Sequence, residues 1–241
     1  MAKRLSLMVV SLVVVSGVAF GLGYWSHQAP TPSTLPVTTT TTAASQPATA
    51  IWPFAQTPLR FSDPVTAASS FAVNYLGFTS PVVGKFQQGD TRSGEVAVRS
   101  EAGGAITTVL VRQVTSDDSW WILGAATPNI QLSTPSLLAS VSSPVTLRGF
   151  STAFEATVNV EVRGDQSLTS LGTGIVMGGS MGELGPFSGS ISFKTATTKY
   201  GTIILRTYSA KDGSVVEAAA IRVKYANEGG VSLRLSSLRF R

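Results

Sequence analysis

Thirteen carboxylates, one histidine and no cysteine set the limits on the chemistry this chain can perform. His27 stands ahead of a Thr/Pro-rich stretch, so Ser-His-Asp and Cys-His catalysis and His-based metal sites have no imidazole among the later residues. The missing cysteine also removes lipobox lipidation, structural disulfides and thiolate metal sites. Paired carboxylates are the remaining enzymatic option, with Glu155, Glu161, Asp165, Glu183 and Asp212 available. Glu161 falls on the polar side of an alternating strand and Asp212 in an Asp-Gly turn, so solvated or turn roles fit them and no catalytic residue is assigned. Asp117-Asp118 lacks the further spaced acids of a calcium loop and reads as a turn; no metal or cofactor is expected. The glycines from Gly172 to Gly189 lack the Gly-Lys-Ser/Thr of a phosphate loop and are expected to form a mobile or bulged loop. Three residues are the candidates for ligand or partner contact. Glu155 follows Phe154, and its structural alternative is a hydrogen bond to a sheet edge or loop backbone. Trp120 and Trp121 point to opposite faces of a strand, which predicts one in the core and the other at a surface.

The segments that place these residues begin with Leu5 to Tyr24, an uncharged stretch near the roughly 20 residues a helix needs to cross a bilayer. A cleaved signal peptide shares the basic start and apolar core, but no clear A-x-A-like site is present, and Tyr24-Trp25 suit a membrane boundary. An uncleaved anchor is the favoured reading. Lys3 and Arg4 precede the span and no basic residue follows before Arg60, so the positive-inside rule puts the N-terminus in the cytoplasm and the remainder outside. Gln28 to Ala50 is rich in Thr, Pro, Ala and Ser and reads as a spacer, with a reach of at most about 70 Å at roughly 3.1 Å per residue.

A net charge of +5 would ordinarily raise nucleic acid as a partner. Five of the 18 basic residues lie in the anchor and the last residues, against one of the 13 acids there, which leaves the central part nearly neutral. Arg60 to Tyr225 has no basic run with interleaved aromatics, so nucleic-acid binding is not expected.

Beyond the stalk the pattern predicts two domains. Ser62-Asp63-Pro64 is a helix start, followed by Val65, Ala68, Phe71, Ala72, Tyr75 and Phe78 at helical spacing, with Gly77 at the stop. Glu95–Arg99, Ile106–Val114 and Trp120–Ala125 are strand candidates. Later, Val145–Phe150, Ala156–Val162, Gly174–Met177, Phe187–Phe193, Thr202–Ser209 and Val215–Tyr225 give six strands, with a seventh near Ile130. The expected organisation is a cytoplasmic stub (1–4), transmembrane anchor (5–25), stalk (26–51), small α+β domain (52–128), antiparallel β-sandwich (129–226) and basic tail (227–241). The fold class is mainly β.

Val141-Ser-Ser-Pro144, Val145-Thr-Leu-Arg-Gly149, Phe154-Glu155, Gly185-Pro-Phe187, Phe193, Gly201 and Asp212-Gly213 fall in the order shown by the bacterial spore-germination immunoglobulin-like domain, Gmad2. The resemblance covers about Ile130 to Tyr225. It implies an immunoglobulin-like sandwich in an envelope-attached protein, without catalytic activity. The expected function is a membrane-anchored, extracytoplasmic binding or structural protein of the bacterial envelope, contacting a protein or wall polymer. The alternatives are an envelope hydrolase using paired carboxylates and a small-ligand carrier using the α+β domain.

Overall fold

The computed structural model describes residues 45–226. The expected anchor, most of the stalk and the basic tail lie outside the described residues, and among those described no helix is long and apolar enough to cross a membrane. Asp63 caps helix α1 (Pro64–Phe71): its carboxylate accepts from the Thr66 amide at 2.7 Å, and Pro64 occupies the first turn, where no amide donor is needed. The helix continues as a π-helical turn, Ala72–Leu76, and stops at Gly77, whose φ of 88° supplies the left-handed end.

The strands are β1 (Val82–Gln88), β2 (Ser93–Arg99), β3 (Thr107–Gln113), β4 (Trp120–Ala126), β5 (Ile130–Thr134), β6 (Ser140–Val141), β7 (Val145–Ser151), β8 (Thr157–Gly164), β9 (Ser170–Met177), β10 (Gly185–Ile191), β11 (Tyr200–Tyr208) and β12 (Val215–Tyr225). Every strand expected from the pattern is present. Strand β1 was not expected: a register shift between Val83 and Phe86 breaks the period of two, and only those two side chains pack against the helix-side core.

One large sheet has the order β1-β2-β3-β4-β12-β11-β8-β9, with β6 pairing parallel to the end of β12; the other sheet is β10-β7-β5. The expected domain boundary falls between β4 and β5, yet the large sheet runs across it through the pair Ala125–Ala220, and residues on both sides belong to one compact unit. Two cores lie on its opposite faces. On one, Phe71, Tyr75, Val96, Val109 and Ile122 meet Ile204, Ala218 and Ala220 under the helix. On the other, Val158, Val160, Ile203, Leu205 and Val223 face Leu147, Phe187 and Ile191 of the three-stranded sheet, which is the immunoglobulin-like sandwich.

Two expectations about loops are corrected. Residues 45–51, expected as the end of the stalk, pack into the fold: Ala50 and Ile51 are buried, and the Ile51 amide donates to the Ile122 carbonyl at 2.7 Å. The glycines from Gly172 to Gly189 do not form one loop but lie largely in β9 and β10. A Cβ on Gly174 would stand 2.6 Å from Ile191 Cδ1, and one on Gly189 2.7 Å from Val176 Cγ1, so these residues let the two sheets approach at their shared edge.

The seam between β4 and β12 is similarly tight, because a Cβ on Gly124 would lie 2.8 Å from the Ala220 carbonyl oxygen. Gly124→Val is therefore expected to cost about 1–3 kcal/mol in denaturant unfolding, as overpacking does. Amide exchange should accelerate first around Ala125 and Ala220; a variant with unchanged stability and protection would show that the seam does not hold the two halves together.

Candidate functional site

Two of the candidate acids, Glu161 in β8 and Asp165 just after it, each meet an arginine. Strand β8 places Glu161 and Arg163 two residues apart on one face, and β11 brings Arg206 beside them. Glu161 accepts from Arg163 Nε at 2.6 Å and Nη2 at 2.9 Å, and from Arg206 Nη1 at 2.8 Å. The same arginines donate to the Tyr75 carbonyl at the end of the π-helical turn, at 2.8 and 3.4 Å, and the Arg163 guanidinium lies 4.9 Å over the Tyr75 ring. Burial pushes the Tyr75 phenol up to about 12, so the ring stays neutral beneath its cation. The solvated role expected for Glu161 is thus corrected: only 13% of its side chain is accessible, because the helix end closes over this part of the sheet.

Asp165 forms a two-pronged pair with Arg222, 2.7 Å for each oxygen, and Arg222 Nε also donates to the Ala48 carbonyl at 2.6 Å. Asp212 accepts from the Ser214 amide and hydroxyl, a turn role as expected. Glu155 and Glu183 are exposed. The acids proposed for paired catalysis are in this way either committed to arginines and a turn or placed on outer loops.

The tryptophans do point to opposite faces, but the structure buries both. Trp120 packs against Phe86 in the helix-side core, while Trp121 is enclosed by Ala50, Ala55, Val114 and Leu123 and donates from Nε1 to the Thr115 hydroxyl at 2.9 Å. The surface position expected for one of them is removed by residues 45–55, which cover the outer face of β4.

Several exposed apolar side chains instead gather at one end of the sandwich. Ile175 and Met177 of β9 are 55% and 60% exposed, and Tyr208 of β11 lines the same shallow hollow as Ile175 and Asn159. Around the strand ends, Phe154 and Met181 stand 64% and 92% exposed on the rim of a pocket of about 350 Å³. The rim backbone is strained. Glu155, Ala156 and Met181 take φ of 54°, 59° and 55°, a region that non-glycine residues occupy at a cost of order 1–3 kcal/mol each and that clusters at functional sites. The Ala153 amide donates to the Gly179 carbonyl at 3.1 Å and the Gly179 amide to the Ser151 carbonyl at 2.8 Å, which ties the two rim loops together. Glu155 sits on this rim, and among the described residues its side chain makes no hydrogen bond to a sheet edge or loop backbone; its carbonyl accepts from the Thr157 hydroxyl.

The pocket floor was not foreseen. Glu217 of β12 is 4% exposed and lines the pocket with Asn129 and Thr207. It accepts from the Thr127 hydroxyl, from Asn129 Nδ2 at 3.1 and 3.3 Å, and from the Thr207 hydroxyl at 3.5 Å. A charged residue entering the apolar run Ala218–Ile221 was the available sequence signal.

Burial raises the Glu161 carboxyl, but the hydrogen bonds and charges of Arg163 and Arg206 outweigh it and hold the group below its ordinary 4.5. A depressed folded value means that its stabilisation is complete above about pH 4.5 and is lost as the pH falls through the lower folded value. Glu161→Gln should be less stable than wild type at pH 7, with the gap in melting temperature narrowing as the pH drops towards 3. A gap that stays constant would show that the carboxylate is not ionised in the fold.

No curated protein and no solved structure matches the chain. A family model does match, over less than half of it: the matched part begins just before β5 and ends in the hairpin before β12, taking in all three strands of the smaller sheet and β6, β8, β9 and β11 of the larger. Residues 129–214 match the immunoglobulin-like domain of bacterial spore germination, Gmad2.

Proposed function

We propose that this chain is a membrane-anchored, extracytoplasmic protein of the bacterial envelope whose immunoglobulin-like part binds a protein or wall polymer at the open end of its sandwich. The observation that carries the reading is the set of exposed apolar and aromatic side chains at this end, Ile175, Met177, Tyr208, Phe154 and Met181, on a backbone whose rim is strained and cross-tied. Surfaces of this kind mark interaction sites, and a rim held in one conformation lowers the ordering cost of binding. The uncharged Leu5–Tyr24 stretch and the Thr/Pro-rich stalk support display of that surface away from the membrane. The acids committed to arginines favour a structural role for them over hydrolysis. A photo-crosslinking residue in place of Ile175, in intact cells of the source organism, should give a discrete envelope adduct that Met177→Asp abolishes. The same adduct pattern from a crosslinker placed at Leu59, remote in sequence from the sandwich, would overturn the assignment.

A second reading, a carrier of small apolar ligands, is favoured by a cleft of about 430 Å³ lined by Leu123, Ala125, Ile130, Leu132, Leu137 and Ile221 between the two halves. Saturable quenching of a bound apolar dye by fatty acids, lost on Leu132→Asp, is the expected behaviour of a carrier; dye binding indifferent to that change would count against it.

A further inference from the structure

Glu217 presents an imbalance that the binding reading leaves unexplained. Its three partners, Thr127, Asn129 and Thr207, are neutral donors, and the ion pairs found among the described residues use Asp118, Glu161 and Asp165 as their acids. Hydrogen bonds from neutral groups satisfy the lone pairs of a buried carboxylate without supplying a counter-charge. The two oxygens are unequally served. Oε2 accepts from Thr127 and, at 3.1 Å, from Asn129, whereas Oε1 has only contacts of 3.3 and 3.5 Å. A carboxylate oxygen with two long contacts retains lone-pair capacity for a stronger donor.

Ala153, Phe154, Met181 and Val216 give the pocket around Glu217 a largely apolar lining, with Thr152, Thr207 and Asn129 as its polar members. Phe154 offers a ring face to a cation and Met181 an adaptable, polarisable contact to a methylene chain. A group that fits has a positive end and an apolar stem. A free amine or metal ion would match the floor and leave the walls unused, and an apolar side chain would leave the charge uncompensated.

We propose that the pocket receives a lysine or arginine side chain presented by a partner polypeptide, with Glu217 as its counter-charge and Phe154 and Met181 against its stem. This rests on the reading of the sandwich end as a binding surface and assigns the partner's chemistry: a polypeptide with a basic residue among apolar neighbours, the latter meeting Ile175, Met177 and Tyr208.

The chain has four methionines, two of them at this surface, so the test uses the full-length protein in detergent micelles with labelled methionine methyl groups. Met181→Leu identifies the Met181 resonance. Titration with a blocked Ala-Lys-Ala peptide should move it saturably, with a weaker response in high salt. The same peptide with norleucine in place of lysine, which keeps the stem and removes the charge, should bind at least tenfold more weakly. Glu217→Gln keeps the acceptor for Thr127 and Asn129 and should remove the preference for lysine, while an unmoved Met177 resonance reports that the fold is intact. Phe154→Ala, a change confined to the exposed rim, provides a second route and should weaken the lysine peptide. Equal responses to the lysine and norleucine peptides, no response to either, or a lysine preference that survives Glu217→Gln would overturn the proposal. If crosslinking at Ile175 persists while the lysine preference fails, the cation assignment falls and the binding surface stands; loss of both removes the surface itself.

Discussion

Strand β12 is enclosed on four sides, and the rest of the structure is arranged around that constraint. Strand β11 pairs along one edge; β4 and β6 take the other at Ala220 and at Lys224–Tyr225. The helix side covers Ala218 and Ala220, and the three-stranded sheet covers Ala219, Val223 and Tyr225. Small side chains are needed where β4 crosses, hence the alanine run and Gly124 opposite it. A polar side chain in such a strand must bring partners with it, because leaving one member of a buried pair alone costs about 3–5 kcal/mol. Arg222 meets this condition with Asp165 and with the carbonyls of residues 47 and 48, and it thereby pins the entering chain to the sheet.

The same logic explains how a helix from the N-terminal half is fastened to a sandwich built by the C-terminal half. The end of a helix leaves carbonyls without partners. Arg163 and Arg206 supply donors to the Tyr75 carbonyl, and Glu161 neutralises one of their two charges. The contact joins residues 88 and 131 positions apart. It is costly to break and specific in geometry, which suits a joint better than a site of reaction.

How far the sequence disclosed this depends on the kind of information required. Helix α1 was legible down to its cap, because Asp63, Pro64 and Gly77 act locally. Strand β8 was legible because one of its faces is apolar and the other polar. Ile203-Ile204-Leu205 and Ala218-Ala219-Ala220 also carried a readable message, since runs that ignore the period of two indicate burial on both faces. What escaped was long-range. Nothing near Glu161 in the chain announces Arg206, and nothing near Trp121 announces that residues 45–55 will cover it. The candidate site was found only at its rim: Phe154-Glu155 is a local motif, whereas Glu217 reaches the pocket through strand pairing and through loop residues about 90 positions earlier.

The distribution of charge then separates structure from recognition by one physical criterion. Glu161 and Asp165 are largely buried and each lies against an arginine, so both carboxylates have a counter-charge within the fold. Glu217 is more deeply buried, at 4% exposed, and is held by neutral groups, so no cation of the fold pairs with it where it lines the pocket. Of the six non-glycine residues with left-handed φ among the described residues, three lie at the pocket and three, Asp118, Leu138 and Gln166, lie elsewhere. The non-glycine residues at Glu155, Ala156 and Met181 adopt left-handed backbone at the rim of that pocket, where it holds Phe154 and Met181 out toward solvent instead of into the core. An uncompensated charge and a strained, apolar rim are each destabilising when the protein is alone. A cationic, partly apolar group would supply the missing counter-charge and cover the exposed rim side chains, and the coincidence of the two features at one place supports the proposed partner site.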